Sequence, residues 1–230
     1  MGTTQLFSAF AVPSFVESVG ITFFIATIAA LISVVLGTPL GYILVRYDFK
    51  FKQIVDAFVD IPIMIPHIVV GIIIVLAFSS SHGVNGNIID TVLGATLAVT
   101  YVSATYTIRV IQSAVSMMDP SVELTARTLG ASPTTTFVRV VLPQIRRAIA
   151  NGALLAWARS IAETGALLIV AYYVSFNGRL VYPASIYIYN IFTFEGITGT
   201  VKFSAAIVLV SLAVFIAYKF AMRRPQGIGR

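Results

Sequence analysis

The sequence predicts an all-α integral membrane protein with about five transmembrane helices and a cytoplasmic helix-turn-helix loop. Its 230 residues are 58% hydrophobic and only 10% charged, with a mean hydropathy of +0.94, a composition that a soluble globular domain could not keep in water. The apolar residues are gathered into long runs. One of the connections between these runs is polar and carries helix start and stop signals.

Five apolar segments each contain the roughly 20 residues that a membrane span requires. No connection between them is long enough for an independent domain, so residues 1–230 are predicted to form a single transmembrane domain. The predicted spans run approximately from Phe15 to Val45, Val55 to Phe78, Ile88 to Ile111, Ile149 to Val174 and Phe203 to Met222.

The Lys and Arg residues predict the orientation of the chain. The first 45 residues contain neither, and the connections on that side hold only Arg179 and Lys202. Because basic loops stay in the cytoplasm, the N-terminus is predicted outside and the C-terminus inside. The first span lacks the basic start of a signal peptide, so we expect it to be retained. The predicted cytoplasmic residues are Arg46, Lys50, Lys52, Arg127, Arg139, Arg146, Arg147, Lys219, Arg223, Arg224 and Arg230.

The net charge of +6 does not indicate a nucleic-acid partner. The basic residues lie beside apolar runs, where membrane orientation explains them, so the expected surroundings are lipid. The absence of cysteine excludes disulfides and thiolate metal sites. Only His67 and His82 are present, which is too few for a histidine metal cluster, so we expect this chain to bind no metal and no cofactor.

The segment Asp119–Pro143 carries the signals of two short helices joined by a glycine turn. Its first residue can cap a helix that begins with Pro120, and Gly130 can end that helix in the left-handed conformation. Ser132 and Pro133 can start the second helix. This arrangement is typical of a docking element, although any loop between spans also needs capped ends and basic residues.

Small residues recur every fourth position in the first and fourth spans, which lets helices pack closely and places the fourth span centrally in the bundle. Ordinary packing within the chain accounts for most of them. In the second span, Pro62 and Pro66 each remove a backbone donor, so that helix is predicted to be kinked, with its freed groups facing protein or a polar cavity. The small residues are Ala29, Ser33, Gly37 and Gly41, and Gly152, Ala156, Ser160 and Thr164.

Two ionisable residues lie deep in the fourth span. Arg159 and Glu163 are one helical turn apart, so they can neutralise each other as an ion pair. Charges at this depth also mark transport paths, and that role stays open for both residues. Asp60 and His67 on the second span are shallower candidates of the same kind, although a single histidine is more often simply hydrogen-bonded.

The aromatic segment from Tyr182 to Thr200 is too short and too polar for a further span. Because aromatic rings favour the membrane interface, we expect it at the outer face, as an interfacial helix or a re-entrant segment.

The chain has no Walker pattern GxxxxGK[ST] and no strand-rich nucleotide domain. If its transport is driven by ATP, another chain must bind the nucleotide, and the polar Asp119–Pro143 segment is a suitable place for that chain to dock.

The polar segment resembles the cytoplasmic loop of ATP-binding-cassette importer permeases. Two parts of the segment have the spacing of that family: the stretch ARTLGAS at Ala126–Ser132, and the ending formed by Val140, Leu142 and Pro143. Leu124 and Thr125 occupy the usual glutamate and first alanine positions, and Glu123 comes one residue early. The resemblance implies that the following residues couple to the ATPase: Glu123, Leu124, Thr125, Ala126, Arg127, Gly130, Ala131, Ser132, Pro133, Leu142 and Pro143.

Two further stretches extend the resemblance to most of the chain. The segment Arg46–Ile72 is similar to the part of molybdate and tungstate permeases that follows their basic loop. Trp157–Tyr173 resembles their ARxxxEFGA stretch, with Thr164 in place of the usual Phe. These similarities favour the molybdate and tungstate group over the related sulfate and thiosulfate permeases.

The resemblance implies a transport subunit rather than an enzyme. Such a permease works as a dimer of two copies with two ATPase subunits, which use ATP and Mg, and receives its oxyanion from an extracytoplasmic binding protein. Alternating access would follow from ATP-driven movement of the cytoplasmic loop.

Two other classes stay open from the residues alone. A secondary transporter or channel would need no ATPase and would show inverted repeats or a charged path. An intramembrane protease would need a serine and histidine pair in adjoining spans, and His67 has no accompanying nucleophile motif.

Overall fold

The computed structural model describes residues 8–78 and 88–222. A short 3-10 turn, Ser8–Ala11, precedes the first helix. His82, Arg223, Arg224 and Arg230, which entered the predictions above, lie outside the described residues. The helices are α1 (Pro13–Arg46), α2 (Lys52–Met64), α3 (His67–Ala77), α4 (Val92–Ser116), α5 (Pro120–Thr128), α6 (Pro133–Thr136), α7 (Leu142–Ile161), α8 (Leu167–Val170) and α9 (Ala184–Met222), and the strands are β1 (Val174–Phe176) and β2 (Arg179–Val181).

The centre of the bundle is formed by α1, α4 and α7, which pack against one another. The contacts are close because small residues lie at the crossings. A methyl group on Gly41 would be 3.0 Å from the backbone oxygen of Ile108, and one on Gly152 would be 3.3 Å from the Cα of Thr107. The small residues of the first and fourth spans therefore act in packing between helices of this chain.

Among the described helices, α1 and the Ala184–Phe220 part of α9 are long and apolar enough to cross a membrane by length and composition. α3 is a shorter apolar helix of 11 residues. α4 has 25 residues but carries many Ser and Thr side chains, several of them buried against its neighbours. The second and fourth predicted spans are each assembled from more than one element.

The second span is broken rather than kinked. α2 ends at Met64 and α3 begins at His67, with Ile65 and Pro66 between them in extended conformations. Pro66 has no N–H to bond the carbonyl of Pro62, so the helix cannot continue through this point. Pro62 itself is tolerated inside α2.

The predicted fourth span, Ile149 to Val174, was wrong as a continuous helix. α7 ends at Ile161, residues 162–166 are not regular helix, and the chain then forms α8 and an antiparallel β1–β2 hairpin. The hairpin turn contains Asn177 at φ 50° and Gly178 at φ 75°, the left-handed pair that an Asn-Gly type I′ turn requires. This dipeptide is a sequence signal for the hairpin that the prediction missed.

The last helix begins at Ala184, well before the predicted start at Phe203. The aromatic segment forms its first part. At Gly196 the backbone takes φ 69° and ψ −165°, so α9 consists of two helical stretches that meet at a sharp bend. A residue with a side chain would be strained at that φ.

The helix that follows the break in the second span, α3, makes a close backbone contact with the segment after α7, and this contact can be tested. A methyl group on Gly71 would lie 2.7 Å from the backbone oxygen of Ala166 and 2.9 Å from the Cβ of Ile169. We expect Gly71→Ala to reduce the free energy of unfolding by about 1–3 kcal/mol, the usual cost of overpacking, measured by thermal unfolding in detergent.

Gly20→Ala is the matched control, because no atom lies within 4 Å of a Cβ built at that position of α1. It should keep or raise the melting temperature, since alanine favours a helix over glycine. Equal melting temperatures for the two variants would contradict the close contact.

Candidate functional site

The polar connection between α4 and α7 begins with a capped helix. The Asp119 side chain accepts a hydrogen bond of 2.9 Å from the backbone N–H of Ser121, and this bond lowers the pKa of the Asp119 carboxyl. Pro120 is the first residue of α5. The start of the helix is therefore as the sequence predicts.

α5 ends in a Schellman motif around Gly130, whose φ is 89°. The N–H of Ala131 donates to the carbonyl of Ala126 at 3.0 Å, and the N–H of Gly130 donates to the carbonyl of Arg127 at 3.0 Å. No atom lies within 4 Å of a Cβ built on Gly130. Glycine is therefore required here by the backbone conformation and not by crowding.

The second helix of the loop, α6, is capped by Ser132, whose side chain accepts from the N–H of Thr135 at 3.1 Å. After α6 the chain makes a π-helical turn, Phe137–Val141, in which the N–H of Leu142 bonds the carbonyl of Phe137. Pro143 cannot donate a backbone hydrogen bond, which fits the wider helical turn just before it. The Leu-Pro ending thus forms the entry to α7.

The predicted coupling residues do not all face outward. Leu124 is 64% exposed, and Leu129, which the sequence analysis did not include among these residues, is 83% exposed. Glu123 is buried, with 6% exposure. The remaining exposed coupling residues are Thr125, Arg127, Gly130, Ser132, Pro133 and Pro143, and Ala126, Ala131 and Leu142 are half-buried.

Glu123 is held from inside the protein by the end of α1. Its Oε2 accepts a hydrogen bond of 2.7 Å from the Tyr42 hydroxyl, and its Oε1 accepts one of 2.7 Å from Nε of Arg46. The same guanidinium donates to the backbone oxygen of Met118 at 3.0 Å. The acidic group that the family resemblance assigns to this part of the loop therefore points into the chain.

A second candidate cluster lies at the two broken spans. Nη2 of Arg159 lies 2.9 Å from Oε2 of Glu163, and Nδ1 of His67 lies 3.4 Å from the same oxygen. Glu163 is 1% exposed, and its Oε1 accepts from the N–H of Ala166 at 2.9 Å. Glu163 thus supports the non-helical segment after α7 as well as facing Arg159.

His67 joins this cluster to the break in the second span. Nη2 of Arg159 lies 2.6 Å from Nδ1 and 3.0 Å from Nε2 of His67, and because arginine can only donate, we assign the closer nitrogen, Nδ1, as the acceptor. Nε2 then carries the proton and donates to the carbonyl of Pro62 at 3.2 Å. That carbonyl is the one that Pro66 leaves without a helical partner, so the histidine satisfies the backbone group freed by the proline.

Asp60 belongs to a separate cluster. Arg109 of α4 binds both Asp56 and Asp60 of α2, with an Nε to Oδ1 distance of 2.8 Å to Asp60 and an Nη1 to Oδ1 distance of 2.8 Å to Asp56. Gln112 donates to Asp56 at 3.0 Å. Sequence analysis missed Arg109, although a single arginine inside the third apolar run was a signal for it.

The family comparison agrees with this architecture. Residues 33–225 match the sequence profile of the family described as the binding-protein-dependent transport system inner membrane component. The chain belongs to this family. It is a transmembrane transport subunit, located in the membrane.

This chain is similar to curated proteins from two groups of permeases. The chain is 38% identical to the molybdate/tungstate transport system permease protein WtpB of Pyrococcus furiosus, covering 94% of this chain and 81% of that protein. It is 35% identical to the protein of the same name from Methanocaldococcus jannaschii, covering 87% and 79%. The probable sulfate transport system permease protein cysT of Nephroselmis olivacea is 30% identical, covering 89% and 74%.

Solved structures share the fold. A bacterial alginate ABC transporter in complex with its pentasaccharide-bound periplasmic protein superposes with a TM-score of 0.73 at 17% identity, covering all of this chain and 85% of that one. An amino acid ABC transporter superposes with a TM-score of 0.64, also at 17% identity, covering 97% of this chain and 100% of that one. The fold is that of a type I ABC importer permease.

Gly130→Val tests the turn of the loop. Valine at a left-handed position costs about 1–2 kcal/mol, while packing is unaffected because the space around Gly130 is open. We expect the variant to insert normally but to lose most uptake when it is reconstituted with an ABC ATPase, whereas Gly130→Asn, which tolerates this conformation, should retain uptake. Equal uptake by both variants would exclude a role for the turn geometry.

Arg159→Leu and Glu163→Leu test the buried pair. Each single change leaves a buried charge without its partner, at a cost of about 3–5 kcal/mol, so the assembled fraction in size-exclusion chromatography should fall. The double variant should recover much of this loss. If it assembles normally but transports nothing, the Arg159 and Glu163 pair takes part in transport and is more than a structural contact.

Proposed function

We propose that this chain is the permease subunit of an ATP-driven importer for a tetrahedral oxyanion, with molybdate or tungstate as its substrate. The substrate assignment is supported by the names of the curated relatives. The chain is 38% identical to molybdate/tungstate permeases and 30% identical to a probable sulfate permease. Sulfate is therefore the second candidate substrate.

The observation that carries the ATP-driven function is the Asp119–Pro143 loop. It is a capped helix-turn-helix between α4 and α7 whose outward residues are in part apolar. The chain itself has no nucleotide-binding motif. In the proposed assembly, this loop receives the movement of an ATPase subunit that binds ATP and Mg.

The complete importer is proposed to contain two copies of this chain, two ATPase subunits and an extracytoplasmic oxyanion-binding protein. A single bundle of about five spans can scarcely line a path alone, and two copies would enclose one between them. ATP binding would draw the ATPase subunits together, move the loops and open the path outward. The anion would then cross the membrane while binding only weakly to the residues that line the path.

The proposed orientation places the loop in the cytoplasm and the N-terminus outside. The loop contains exposed Arg127 and Arg139, and Arg46 at the end of α1 contacts it. Positively charged segments of this kind are retained in the cytoplasm. The β1–β2 hairpin and the first part of α9 then lie toward the outer face.

The proposal can be tested by reconstituting the permease in proteoliposomes with an ABC ATPase and an oxyanion-binding protein whose genes lie beside its own. We expect ATP-dependent uptake of tungstate and molybdate that exceeds uptake of sulfate, and no uptake by the permease alone. Uptake by the permease alone would favour a channel or secondary transporter. Preference for sulfate would change the substrate and leave the ATP-driven mechanism intact.

A further inference from the structure

The charged cluster between α2 and α4 is only half-buried. It consists of Arg109, Asp56, Asp60 and Gln112, which are joined by hydrogen bonds, and we call it the Arg109 cluster. The exposed fractions of the side chains are 33% for Arg109, 42% for Asp56 and 40% for Asp60. The Glu163 carboxyl group, by contrast, is almost fully buried. The Arg109 cluster therefore contacts the surroundings of the bundle.

This cluster lies away from the ends of its helices. Arg109 is seven residues before Ser116, the last residue of α4, which is about 10 Å along the helix axis. Asp60 is eight residues after Lys52, the first residue of α2, which is about 12 Å along that axis. α4 is about 37 Å long and the hydrocarbon region about 30 Å thick. A helix centred in the bilayer therefore places Arg109 inside the hydrocarbon region.

Lipid tails are an unsuitable environment for these side chains. The cluster combines one guanidinium group with two carboxyl groups, so pairing leaves one carboxyl group over. Charged side chains inside a membrane span face the bundle interior or a water-filled cavity, because exposure to hydrocarbon is costly. A third or more of each charged side chain is exposed, so these groups are not in the interior. Water is the environment that remains.

A polar surface connects the cluster to the start of α2 and the end of α4. Further polar side chains follow at helical spacing on both helices. They are half-buried Gln112 and exposed Ser113 and Ser116 on α4, and exposed Gln53 on α2. Water can therefore reach the cluster along this surface from the side of the membrane that carries the basic loops.

The opposite exposed side of α2 is apolar. Ile54 is 54% exposed and Phe58 is 59% exposed. Phe58 is two residues from Asp60, so the two side chains point to opposite sides of the helix, about 160° apart. An apolar surface of this kind suits lipid tails. α2 thus separates a side that suits lipid from a side that suits water.

We infer that the Arg109 cluster lines the cytoplasmic part of the anion path, a water-filled space between two copies of the chain. The inference rests on the proposed function, because it identifies one wall of the path that the two copies enclose. The second copy then lies opposite the polar side of α2 and α4. Since one carboxyl group is left over after pairing, this wall does not retain an oxyanion, which fits passage with weak binding.

Cysteine labelling tests which side of α2 faces water. The chain has no cysteine of its own, so single cysteines can be labelled with a charged, membrane-impermeant thiosulfonate in nanodiscs that hold the permease and an ABC ATPase without ATP. Met64→Cys is the test variant, because Met64 is 79% exposed and lies one turn beyond Asp60 on the same side. Phe58→Cys is the matched control on the apolar side.

Met64→Cys should react about tenfold faster than Phe58→Cys or more, since a charged reagent is excluded from hydrocarbon. This order is the reverse of that expected from depth alone, because Met64 is six residues further from the start of α2 than Phe58. Slow labelling at both positions would place the polar side against lipid or directly against the second copy, and would overturn the inference. Fast labelling at both would place this part of α2 outside the bilayer and would also overturn it.

A second variant tests the role of the cluster in transport. Arg109→Leu combined with Asp56→Leu and Asp60→Leu removes all three charges and leaves none unpaired, a change that is often neutral for stability. The assembled fraction in size-exclusion chromatography should be retained. Uptake by the assembled complex should fall by about tenfold or more, because an apolar wall excludes water from the path.

Unchanged uptake by the assembled triple variant would overturn the role in the path. The labelling comparison leaves the cluster intact, so it decides the inference even if the triple variant fails to assemble. Failure of the unaltered complex to take up any oxyanion would instead reject the proposed function. The two failures are therefore distinguishable.

Discussion

The constraint on which this structure depends is that no backbone polar group can stay unpaired inside a bilayer. Two of the predicted spans are broken, at Pro66 and after Ile161, and the two breaks lie against each other. His67 donates to the carbonyl that Pro66 leaves free, and Glu163 accepts from the N–H of Ala166. The cluster of Arg159, Glu163 and His67 thus supplies hydrogen bonds to backbone groups at both helix breaks.

Contacts made by α1 link the membrane bundle to the loop. α1 packs along α4 and α7 in the bundle centre, and its last turn supplies Tyr42 and Arg46 to the buried Glu123 of α5. Movement of the loop therefore acts on α1 directly. α1 also contacts α7, which carries Arg159 and leads to the second break, so the loop and the intramembrane cluster are connected through packed helices.

The sequence was sufficient for features set by local chemistry, and the caps at Asp119 and Ser132 and the left-handed Gly130 are as predicted. Prediction from the sequence failed where contacts between residues far apart in the chain end a helix within an apolar run. Hydropathy cannot locate the end of α7 before Glu163, because the partners of that break come from α3. It also cannot tell that Glu123 faces Arg46, 77 residues earlier, or that Arg109 binds two aspartates of α2. The Asn177-Gly178 turn could have been predicted and was missed.

The proposed function requires an ATPase subunit to move this loop. Because the chain contains no cysteine, Thr125→Cys on the exposed side of α5 gives a single site for a spin label. The separation between the labels of two copies can be measured by double electron-electron resonance, in complex with a hydrolysis-deficient ATPase. The account predicts that ATP shortens this separation. An unchanged separation on ATP binding, for a labelled chain that transports the anion when it is combined with the hydrolysis-competent ATPase, would contradict it.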